Sequence, residues 1–402
     1  MFEPGDVLVQ KYGGSSVATP ERIIKVAERI SEFAKSGKRV AVVVSAMGDT
    51  TDDLIKLMHA IDRDPDLREL DQLMATGEMV SASLLASALR KIGVNARSFN
   101  AFNLQIETDG KFSSAEVLKF RNVRSISEFL KPGSVAVVAG FQGISQAGDL
   151  TTLGRGGSDI TAVALASELG QKVCEKLTDE NGIYSADPRE IHNPVKIWHL
   201  NYDEMKTLSV FGNGILHPRA IDFARKYDIR IHVRSSFTSE EGSIIGPLGD
   251  ESIPLKSISC EKKQAVVSIE NVSRVLENSD NVLPLTLNEL RKVNENRNDL
   301  RFAFRFADAF EVMPHLWQKA VQLYAEDLIF NADLSMFSVV GCGISNSTKY
   351  AAKINEALSE NGIETIISGC CNLRYTVAVP SCSSSRTMEI LHKTLVALND
   401  EK

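Results

Sequence analysis

Short apolar runs alternate with amphipathic segments along residues 1–240 of the chain. Runs of this length are too short for helices and are typical of strands buried in a parallel sheet. The predicted strands are Val7 to Val9, Val40 to Val44, Ser134 to Phe141, Lys172 to Leu177 and Ile229 to Val233. Strands that alternate with helices predict an α/β fold whose mostly parallel sheet is covered on both faces, with the run that ends at Val233 closing the sheet.

The segment after the first strand shows how the helices are predicted. Thr19 is a favourable N-cap, and Pro20 suits the first helical position because its φ angle is already helical. The apolar face of this helix consists of Ile23, Ala27, Ile30 and Ala34. Their spacing of three to four residues predicts a helix that packs against the sheet.

The pattern changes from about residue 250 onward. Ala265 to Ile269 alternates apolar and polar residues, which is typical of a half-exposed strand. Further predicted strands are Phe337 to Gly341, Thr365 to Ile367 and Tyr375 to Val379, and the predicted helices lie around Ala351 to Leu358 and from Arg386 to Leu398. From residue 335 the predicted order of elements is therefore βαββα.

A glycine-rich turn, Gly154 to Gly157, leads directly into Ser158, which is predicted to cap a helix. Glycines let the backbone approach a ligand closely, and the first N–H groups of a helix are unpaired and favour an anion. Arg155 and Asp159 add opposite charges within one turn. The motif by itself is equally compatible with a glycine turn that only begins a helix.

A second glycine turn follows the first strand, where Lys11 precedes Gly13, Gly14 and Ser15. A strand, a glycine turn and a helix are how α/β proteins place phosphate-binding backbone at the carboxyl end of a strand. Lys11 is placed to neutralise a transferring phosphoryl group, although an isolated lysine here would more often be an ordinary residue at a strand end. The chain contains no Walker P-loop motif.

Polar residues at other predicted strand and helix ends could either bind a ligand or have a purely structural role. Ser45 to Thr51 could bind a polar substrate or serve as a helix cap, and Glu78 could bind a ligand or complement a helix dipole. The long loop from Thr178 to Arg189 could face a nucleotide through Tyr184 and Arg189, or form a surface turn.

Composition narrows the class of protein. The chain of 402 residues has 43% hydrophobic and 24% charged residues and a net charge of −7, without a basic stripe that would indicate nucleic-acid binding. It lacks an apolar run of about 20 residues and a signal peptide, so we expect a cytoplasmic protein with no membrane partner. Its six cysteines and seven histidines show no metal-ligand spacing, so no protein-held metal is expected.

Several blocks in a fixed order resemble one family. They are Lys11 to Ser16, Val42 to Met47, Gly77-Glu78, Thr151 to Asp159, Thr178-Asp179, Tyr184 to Arg189 and Leu216 to Pro218. Over residues 6–246 this order resembles the aspartokinases, the aspartate-specific branch of the amino acid kinase superfamily. Residues 335–398 resemble an ACT domain, a small ferredoxin-like regulatory module. The resemblance implies a three-layer amino acid kinase domain over 1–248, a degenerate first ACT-like region over 249–333, where Asn288 to Asn298 is strongly polar, and an ACT domain over 334–402.

The resemblance implies transfer of the ATP γ-phosphate to the side-chain carboxylate of L-aspartate, with Mg²⁺ held mostly by phosphate oxygens. The product is 4-phospho-L-aspartate, which leads toward lysine, threonine and methionine. Lys11 would contact the transferring phosphate, Arg155 the substrate carboxylate, and Asp159 would orient lysines around the phosphates. The implied amino-acid site consists of Ser45, Thr50, Glu78, Arg155 and Ser158. The implied nucleotide site consists of Lys11, Gly13, Gly14, Ser15, Thr178, Asp179, Tyr184 and Arg189.

The chain departs from the family pattern at Gly214. The family usually has a lysine there, two residues before the Leu-His-Pro block, and that lysine reaches the ATP phosphates. We expect another cation, Lys176 or Arg219, to compensate. Without compensation the loss of one such contact would slow turnover roughly a hundredfold.

The resemblance also implies regulation and assembly. A lysine or threonine effector would contact Gly343, Ile344 and Asn346, and a homodimer would form through the ACT domains. A glycine turn without a ligand is the alternative for these residues. Two other functions stay open: an amino acid kinase for acetylglutamate, glutamate or UMP, and a non-catalytic amino-acid sensor built on a kinase scaffold.

Overall fold

The computed structural model describes residues 2–212, 214–270, 291–296, 299–305, 313–314, 316–317, 327–346 and 348–400. These residues form two compact units. The first comprises residues 1–183, 196–206 and 214–249, and the second comprises residues 184–195, 207–213 and 250–402. The three domain boundaries expected from the sequence stay predictions.

The described residues contain the following strands in chain order: β1 (Val7–Tyr12), β2 (Arg39–Val44), β3 (Asn95–Phe99), β4 (Ile106–Thr108), β5 (Val117–Phe120), β6 (Ser134–Ala139), β7 (Gln142–Ile144), β8 (Leu150–Thr152), β9 (Val173–Thr178), β10 (Ile183–Tyr184), β11 (Lys196–Ile197), β12 (His199–Asn201), β13 (Arg230–Ser235), β14 (Ser243–Gly246), β15 (Ser257–Glu270), β16 (Arg291–Asn296), β17 (Asp299–Arg305), β18 (Asp327–Val340), β19 (Ile367–Cys371) and β20 (Arg374–Pro380).

The α-helices described are α1 (Pro20–Lys35), α2 (Thr50–Ile61), α3 (Leu67–Met74), α4 (Thr76–Lys91), α5 (Ala101–Leu104), α6 (Val123–Phe129), α7 (Gly157–Glu168), α8 (Tyr202–Val210), α9 (Pro218–Tyr227), α10 (Cys342–Asn346), α11 (Thr348–Glu360) and α12 (Ser384–Asp400). Within the described part of the chain, no helix has the length and apolar character needed to span a bilayer.

The first unit is built on a sheet with strand order β12-β14-β13-β9-β1-β2-β6-β3. Strands β13, β9, β1, β2, β6 and β3 are mutually parallel, which confirms the mostly parallel sheet expected from the apolar runs. Val40, Val42 and Val44 join the core formed with α1 and α4. Residues of opposite parity, such as Val43, point to the other face, where α7 packs.

The prediction that Ile229 to Val233 closes the sheet is wrong. These residues belong mainly to β13, which is interior, because β14 pairs with it in antiparallel orientation and β12 lies beyond β14. β14 and β12 have only four and three residues, so their apolar signal is too short to read from sequence alone. The cap at Thr19 is confirmed, since its side chain accepts a hydrogen bond from the N–H of Arg22.

The second unit is built on an antiparallel sheet with the order β16-β17-β15-β18-β20-β19 among the described residues. The expected βαββα order is confirmed by β18, α11, β19, β20 and α12. Its core includes Phe337, Leu358 and Leu391. Of the polar stretch Asn288 to Asn298, residues 291–296 form β16, and 288–290, 297 and 298 lie outside the described residues.

Candidate active site

Lys11 and Lys176 occupy matching positions on adjacent parallel strands. They are register partners in the pairing of β1 with β9, so their side chains leave the sheet on the same face. Asp159, in the first turn of α7, lies between them: its Oδ1 is 2.7 Å from Lys11 Nζ and its Oδ2 accepts a hydrogen bond from Lys176 Nζ at 2.5 Å. All three side chains are buried, at 7–11% exposure. The sheet register and α7 thus place two ammonium groups on one carboxylate.

The charges of this cluster shift its titration. Burial alone would raise the pKa of Asp159, but the charges of Lys11 and Lys176 outweigh burial and lower that pKa to about 2. Burial, together with repulsion from Lys11, lowers the pKa of Lys176 to about 8, although Asp159 opposes the change. Two ammonium groups facing one carboxylate leave the cluster with one surplus positive charge. Such a cluster favours a negatively charged ligand.

The glycine turn before α7 adopts a conformation that suits only glycine. Gly154 and Gly156 have φ angles of +71° and +72°. A Cβ atom added to Gly156 would lie 2.2 Å from the Cβ of His217, so the segment before α9 packs directly on this turn. The turn is therefore fixed by tertiary packing as well as by its own glycines.

The prediction that Ser158 caps α7 is wrong. The helix begins at Gly157 and its N-cap is Gly156, which makes no side-chain cap. The left-handed conformation of Gly156 turns the chain before Ser158, which therefore lies inside the first helical turn. Ser158 instead packs against Gly140, where an added Cβ would lie 2.7 Å from the Cβ of Ser158.

A cavity of about 410 Å³ lies in front of the lysine–aspartate cluster. Its lining includes predicted site residues from three separate parts of the chain: Lys11, Ser45, Arg155, Ser158 and Asp159. Its lining also includes Thr51, from the predicted stretch Ser45 to Thr51, and Thr152, from the block Thr151 to Asp159. The residues of the lining that the sequence analysis did not assign to a site are Asp52, Ile55, Met74, Ser113 and Phe141. The cavity thus combines a buried cluster of charges, an exposed arginine and the start of a helix.

Glu78 and Thr50 lie beside the residues that line this cavity. Glu78 is buried in the first turn of α4, where its Oε1 accepts a hydrogen bond from the N–H of Ala46 at 3.0 Å. Among the described residues, its buried Oε2 has no hydrogen-bond partner. Burial raises the pKa of Glu78 to about 7.

Thr50 donates a hydrogen bond to the carbonyl of Met47 at 2.6 Å, and its neighbour Thr51 lines the cavity.

The residues expected to bind the nucleotide lie in both units. Gly13 is beside Lys11, since a Cβ added there would be 3.9 Å from Lys11 Nζ. Gly14 and Ser15 belong to a 3₁₀ turn over residues 14–17. Thr178, at the end of β9, donates a hydrogen bond to Asp179 Oδ1 at 2.8 Å. Tyr184 and Arg189 belong to the second unit, where Arg189 pairs with Asp187 at 2.7 Å.

Asp71 is a buried residue that the sequence analysis missed. Its Oδ2 accepts hydrogen bonds from the N–H groups of Ser113 and Thr152, at 2.8 and 2.7 Å. Its Oδ1 accepts from the hydroxyls of the same two residues, at 3.0 and 2.8 Å. Both residues line the cavity, so Asp71 fixes part of the wall. One signal was available: Asp71 lies four residues after Leu67 and three before Met74, on an apolar helix face.

Arg219 holds the glycine turn from outside. Its guanidinium donates hydrogen bonds to the carbonyls of Leu153 at 2.5 Å and Ala115 at 2.9 Å, with a longer one to Ser114 at 3.4 Å. Arg219 lies in the first turn of α9, whose N-cap is His217. Its role in the structure is to position the backbone on either side of the cavity.

The comparisons with known proteins agree with this geometry. The model of the amino acid kinase family matches residues 6–235. The aspartokinase of Bacillus sp. (strain MGA3) is 36% identical over 397 residues, which cover 96% of this chain and 96% of that protein. The chain belongs to the aspartokinase family. An aspartokinase of Thermus thermophilus is 35% identical over 96% of this chain and 98% of that protein.

Solved structures of this family share the fold. Escherichia coli aspartokinase III in complex with aspartate and ADP (R-state) has a TM-score of 0.77 at 20% identity, over 97% of this chain and 100% of that one. The same enzyme in complex with lysine and aspartate (T-state) has a TM-score of 0.74 at the same identity and coverage. The expected fold, an amino acid kinase sheet followed by an ACT-type sheet, is therefore confirmed.

The structure also describes the surroundings of Gly214 and the backbone of the expected effector residues. A Cβ added to Gly214 would meet no atom within 4 Å, so the position has room for a side chain. In the second unit, the expected effector residues Gly343, Ile344 and Asn346 belong to α10 rather than to a simple turn. Ile344 is buried in the core of that unit.

Proposed function

We propose that this chain phosphorylates the side-chain carboxylate of L-aspartate with ATP, giving 4-phospho-L-aspartate. The observation that carries this proposal is the pair of lysines on Asp159 at the start of α7, together with a cavity that Lys11, Asp159 and Arg155 line. The cavity offers the positive charge of Lys11 for a phosphoryl group and an arginine for a carboxylate. Aspartate and ADP are the ligands named for the E. coli aspartokinase III structure in the R-state.

The amino acid is bound through groups that complement its charges. Arg155 is exposed in the cavity, and its planar guanidinium can hold a substrate carboxylate with two parallel hydrogen bonds. Glu78 supplies a buried carboxylate oxygen without a partner among the described residues, and the substrate ammonium group is a suitable donor for it. Ser45, Thr50 and Ser158 complete the proposed amino-acid site.

Phosphoryl transfer at this site needs no general base, because a substrate carboxylate is already ionised at neutral pH. Lys11 contacts the transferring phosphate, the backbone at Gly13 to Ser15 cradles the nucleotide phosphates, and Asp159 holds the lysines in position. Thr178, Asp179, Tyr184 and Arg189 complete the proposed nucleotide site. Catalysis therefore consists of positioning and charge stabilisation.

Mg²⁺ enters this proposal bound to the nucleotide. Both oxygens of Asp159 already face lysines, and the searched part of the chain has no group of three or more His, Cys, Asp or Glu side chains arranged to hold a metal. Phosphate oxygens are the natural ligands for Mg²⁺ in such a site. When bound, the ion neutralises phosphate charge.

Regulation and assembly follow the same family reasoning. We propose that lysine or threonine binds near Gly343, Ile344 and Asn346 and that two chains pair through their ACT-type sheets. Lysine is a ligand named for the E. coli T-state structure, and β19 ends the sheet of the second unit within the described residues. An unpaired sheet edge favours pairing with a second chain. We place the enzyme in the cytoplasm, without a nucleic-acid or membrane partner.

The test is ATP-dependent trapping of an acyl phosphate by hydroxylamine. L-aspartate should give the hydroxamate, whereas glutamate and acetylglutamate should not, and Lys11→Met should abolish the signal. Lysine and threonine are then added separately, and suppression by one of them identifies the effector. A signal with glutamate or acetylglutamate instead would contradict the proposed substrate. No signal with any acid would favour the sensor function.

A further inference from the structure

The site combines one departure from the family pattern with a buried lysine that the pattern did not predict to be there as a pair with Lys11. The phosphate-contacting lysine expected near the Leu216-His217-Pro218 block is absent, because glycine stands at 214. At the same time, a second lysine, Lys176, is buried in the first unit with its ammonium group on Asp159. A buried lysine is costly unless it is paired, and here one carboxylate, Asp159, serves as the partner of both Lys11 and Lys176.

We propose that Lys176 contacts the γ-phosphoryl group during transfer and supplies the charge that a lysine at position 214 would otherwise provide. This proposal rests on the proposed kinase function and names one further catalytic residue for it. Strand β9 would therefore carry the second phosphate-contacting lysine in this chain.

The sheet register supports this assignment. Lys176 is the register partner of Lys11, so both ammonium groups lie on the α7 side of the sheet and meet Asp159 from neighbouring strands. Lys11 and Asp159 line the cavity, and Lys176 donates a hydrogen bond to Asp159 Oδ2. His217, three residues from Gly214, lies close enough to feel the charges of Asp159 and Lys176. The segment that runs from Gly214 to His217 thus ends at a residue that the charges of this cluster influence.

The other candidate cation, Arg219, is already engaged. Its guanidinium donates to the carbonyls of Leu153, Ala115 and Ser114, which hold the glycine turn. Turning this group toward a phosphate would break those bonds. Lys176 would exchange its hydrogen bond to Asp159 for one to the neighbouring γ-phosphate.

The charge balance of the reaction also fits. A carboxylate oxygen of aspartate forms a bond to the γ-phosphorus while the bond between that phosphorus and the β,γ-bridging oxygen breaks, and ADP leaves with the bonding electrons. No proton is transferred. Lys11 and Lys176 donate hydrogen bonds to non-bridging γ-oxygens, and Asp159 holds the two ammonium groups in position beside them. Burial lowers the pKa of Lys176 to about 8. The negative charge of a bound phosphate opposes this effect, because it favours the ammonium form of the lysine.

The first experiment moves the charge between the two positions. Lys176→Met should lower kcat for aspartate by about a hundredfold or more, while KM for aspartate changes little. The fold should survive, because Lys11 and Asp159 remain as a neutral pair. Adding Gly214→Lys to Lys176→Met should restore much of the lost kcat, since position 214 has room for a side chain.

Lys172→Met is the control, because Lys172 is exposed and pairs with Asp228. Lys176→Met with kcat near that of the parent would overturn the proposal.

The second experiment does not depend on turnover. Reductive methylation of the native protein is followed residue by residue by mass spectrometry, with and without MgATP. MgATP should slow labelling of Lys176 severalfold and leave Lys172 unchanged. Equal labelling of Lys176 in both conditions would overturn the contact. Protection by MgATP in a protein that forms no aspartyl hydroxamate would support the contact while showing that the proposed substrate is wrong.

Discussion

Glu78 Oε1 and the main-chain N–H of Ala46 are joined by a hydrogen bond of 3.0 Å that fixes the glutamate next to Ser45 on the cavity wall. The other oxygen, Oε2, is buried without a partner among the described residues. Burial raises the pKa of Glu78 from 4.5 to about 7, although Lys11 opposes this change. A carboxylate with one oxygen fixed and one unsatisfied is prepared for a cationic ligand.

Glu78→Gln should therefore weaken aspartate binding and not nucleotide binding. The ionised form of Glu78 increases as the pH rises through about 7, so KM for aspartate in the parent should fall over that range. In Glu78→Gln, KM should be at least about tenfold higher and independent of pH, because a charged hydrogen bond worth roughly 1.5–3 kcal/mol is lost. Initial rates at varied aspartate and pH provide the measurement. An unchanged KM would contradict the assignment.

The same substitution makes a second prediction, about stability. A carboxyl group whose pKa is raised in the folded protein adds stability below its unfolded pKa, near 4.5, and this stability is lost as the pH rises through about 7. Glu78→Gln should therefore have a higher Tm than the parent well above pH 7 and no such advantage below pH 4.5. Thermal unfolding at both pH values tests this sign.

Asp71→Asn should destabilise the fold and distort the cavity wall. An amide presents an NH₂ group where one carboxylate oxygen accepts two hydrogen bonds, so buried donors of Ser113 and Thr152 lose their acceptor. We expect a loss of about 3 kcal/mol in the free energy of unfolding and a raised KM for aspartate. Asp53→Asn, at an exposed ion pair with Lys56, is the control and should change stability by less than about 1 kcal/mol. Equal Tm values for the two variants would contradict the role of Asp71.

Arg219→Ala should loosen the glycine turn rather than remove a phosphate contact. Three carbonyls around Gly154 would lose their donor, so Arg155 would be positioned less well and KM for aspartate should rise. The loss in kcat should be smaller than for Lys176→Met. Arg225→Ala, on the same helix and paired with Asp203 at the surface, is the matched control. A fall in kcat at unchanged KM would instead place Arg219 in phosphoryl transfer.

Gly156→Ala and Gly214→Ala should behave very differently. Alanine at 156 would require a left-handed φ near +72°, at a cost of about 1–2 kcal/mol, and its Cβ would lie 2.2 Å from that of His217. We expect a marked fall in Tm and loss of hydroxamate formation. Alanine at 214 meets no atom within 4 Å and should leave both unchanged. Similar Tm values for the two variants would show that the glycine turn is not constrained.

The sequence determined the main elements and the family of this protein. The apolar runs at β2 and β6 are buried on both faces, so their hydrophobicity alone identifies them as strands of a parallel sheet. The ordered blocks from Lys11 to Pro218 identified an aspartokinase because several of them occur together in the order that is typical of this family. The roles assigned to individual site residues stay predictions.

Only the tertiary structure decided which side chains meet. Asp71 resembles an ordinary helix carboxylate in the sequence, and its four hydrogen-bond donors come from segments 42 and 81 residues away. Ser158 loses its expected capping role because Gly156 turns the chain first. Lys176 reaches Asp159 because β9 pairs in register with β1, a strand more than 160 residues earlier. Hydrophobic periodicity sets local structure, whereas strand register and packing over long separations set these contacts, and neither is encoded in any single segment.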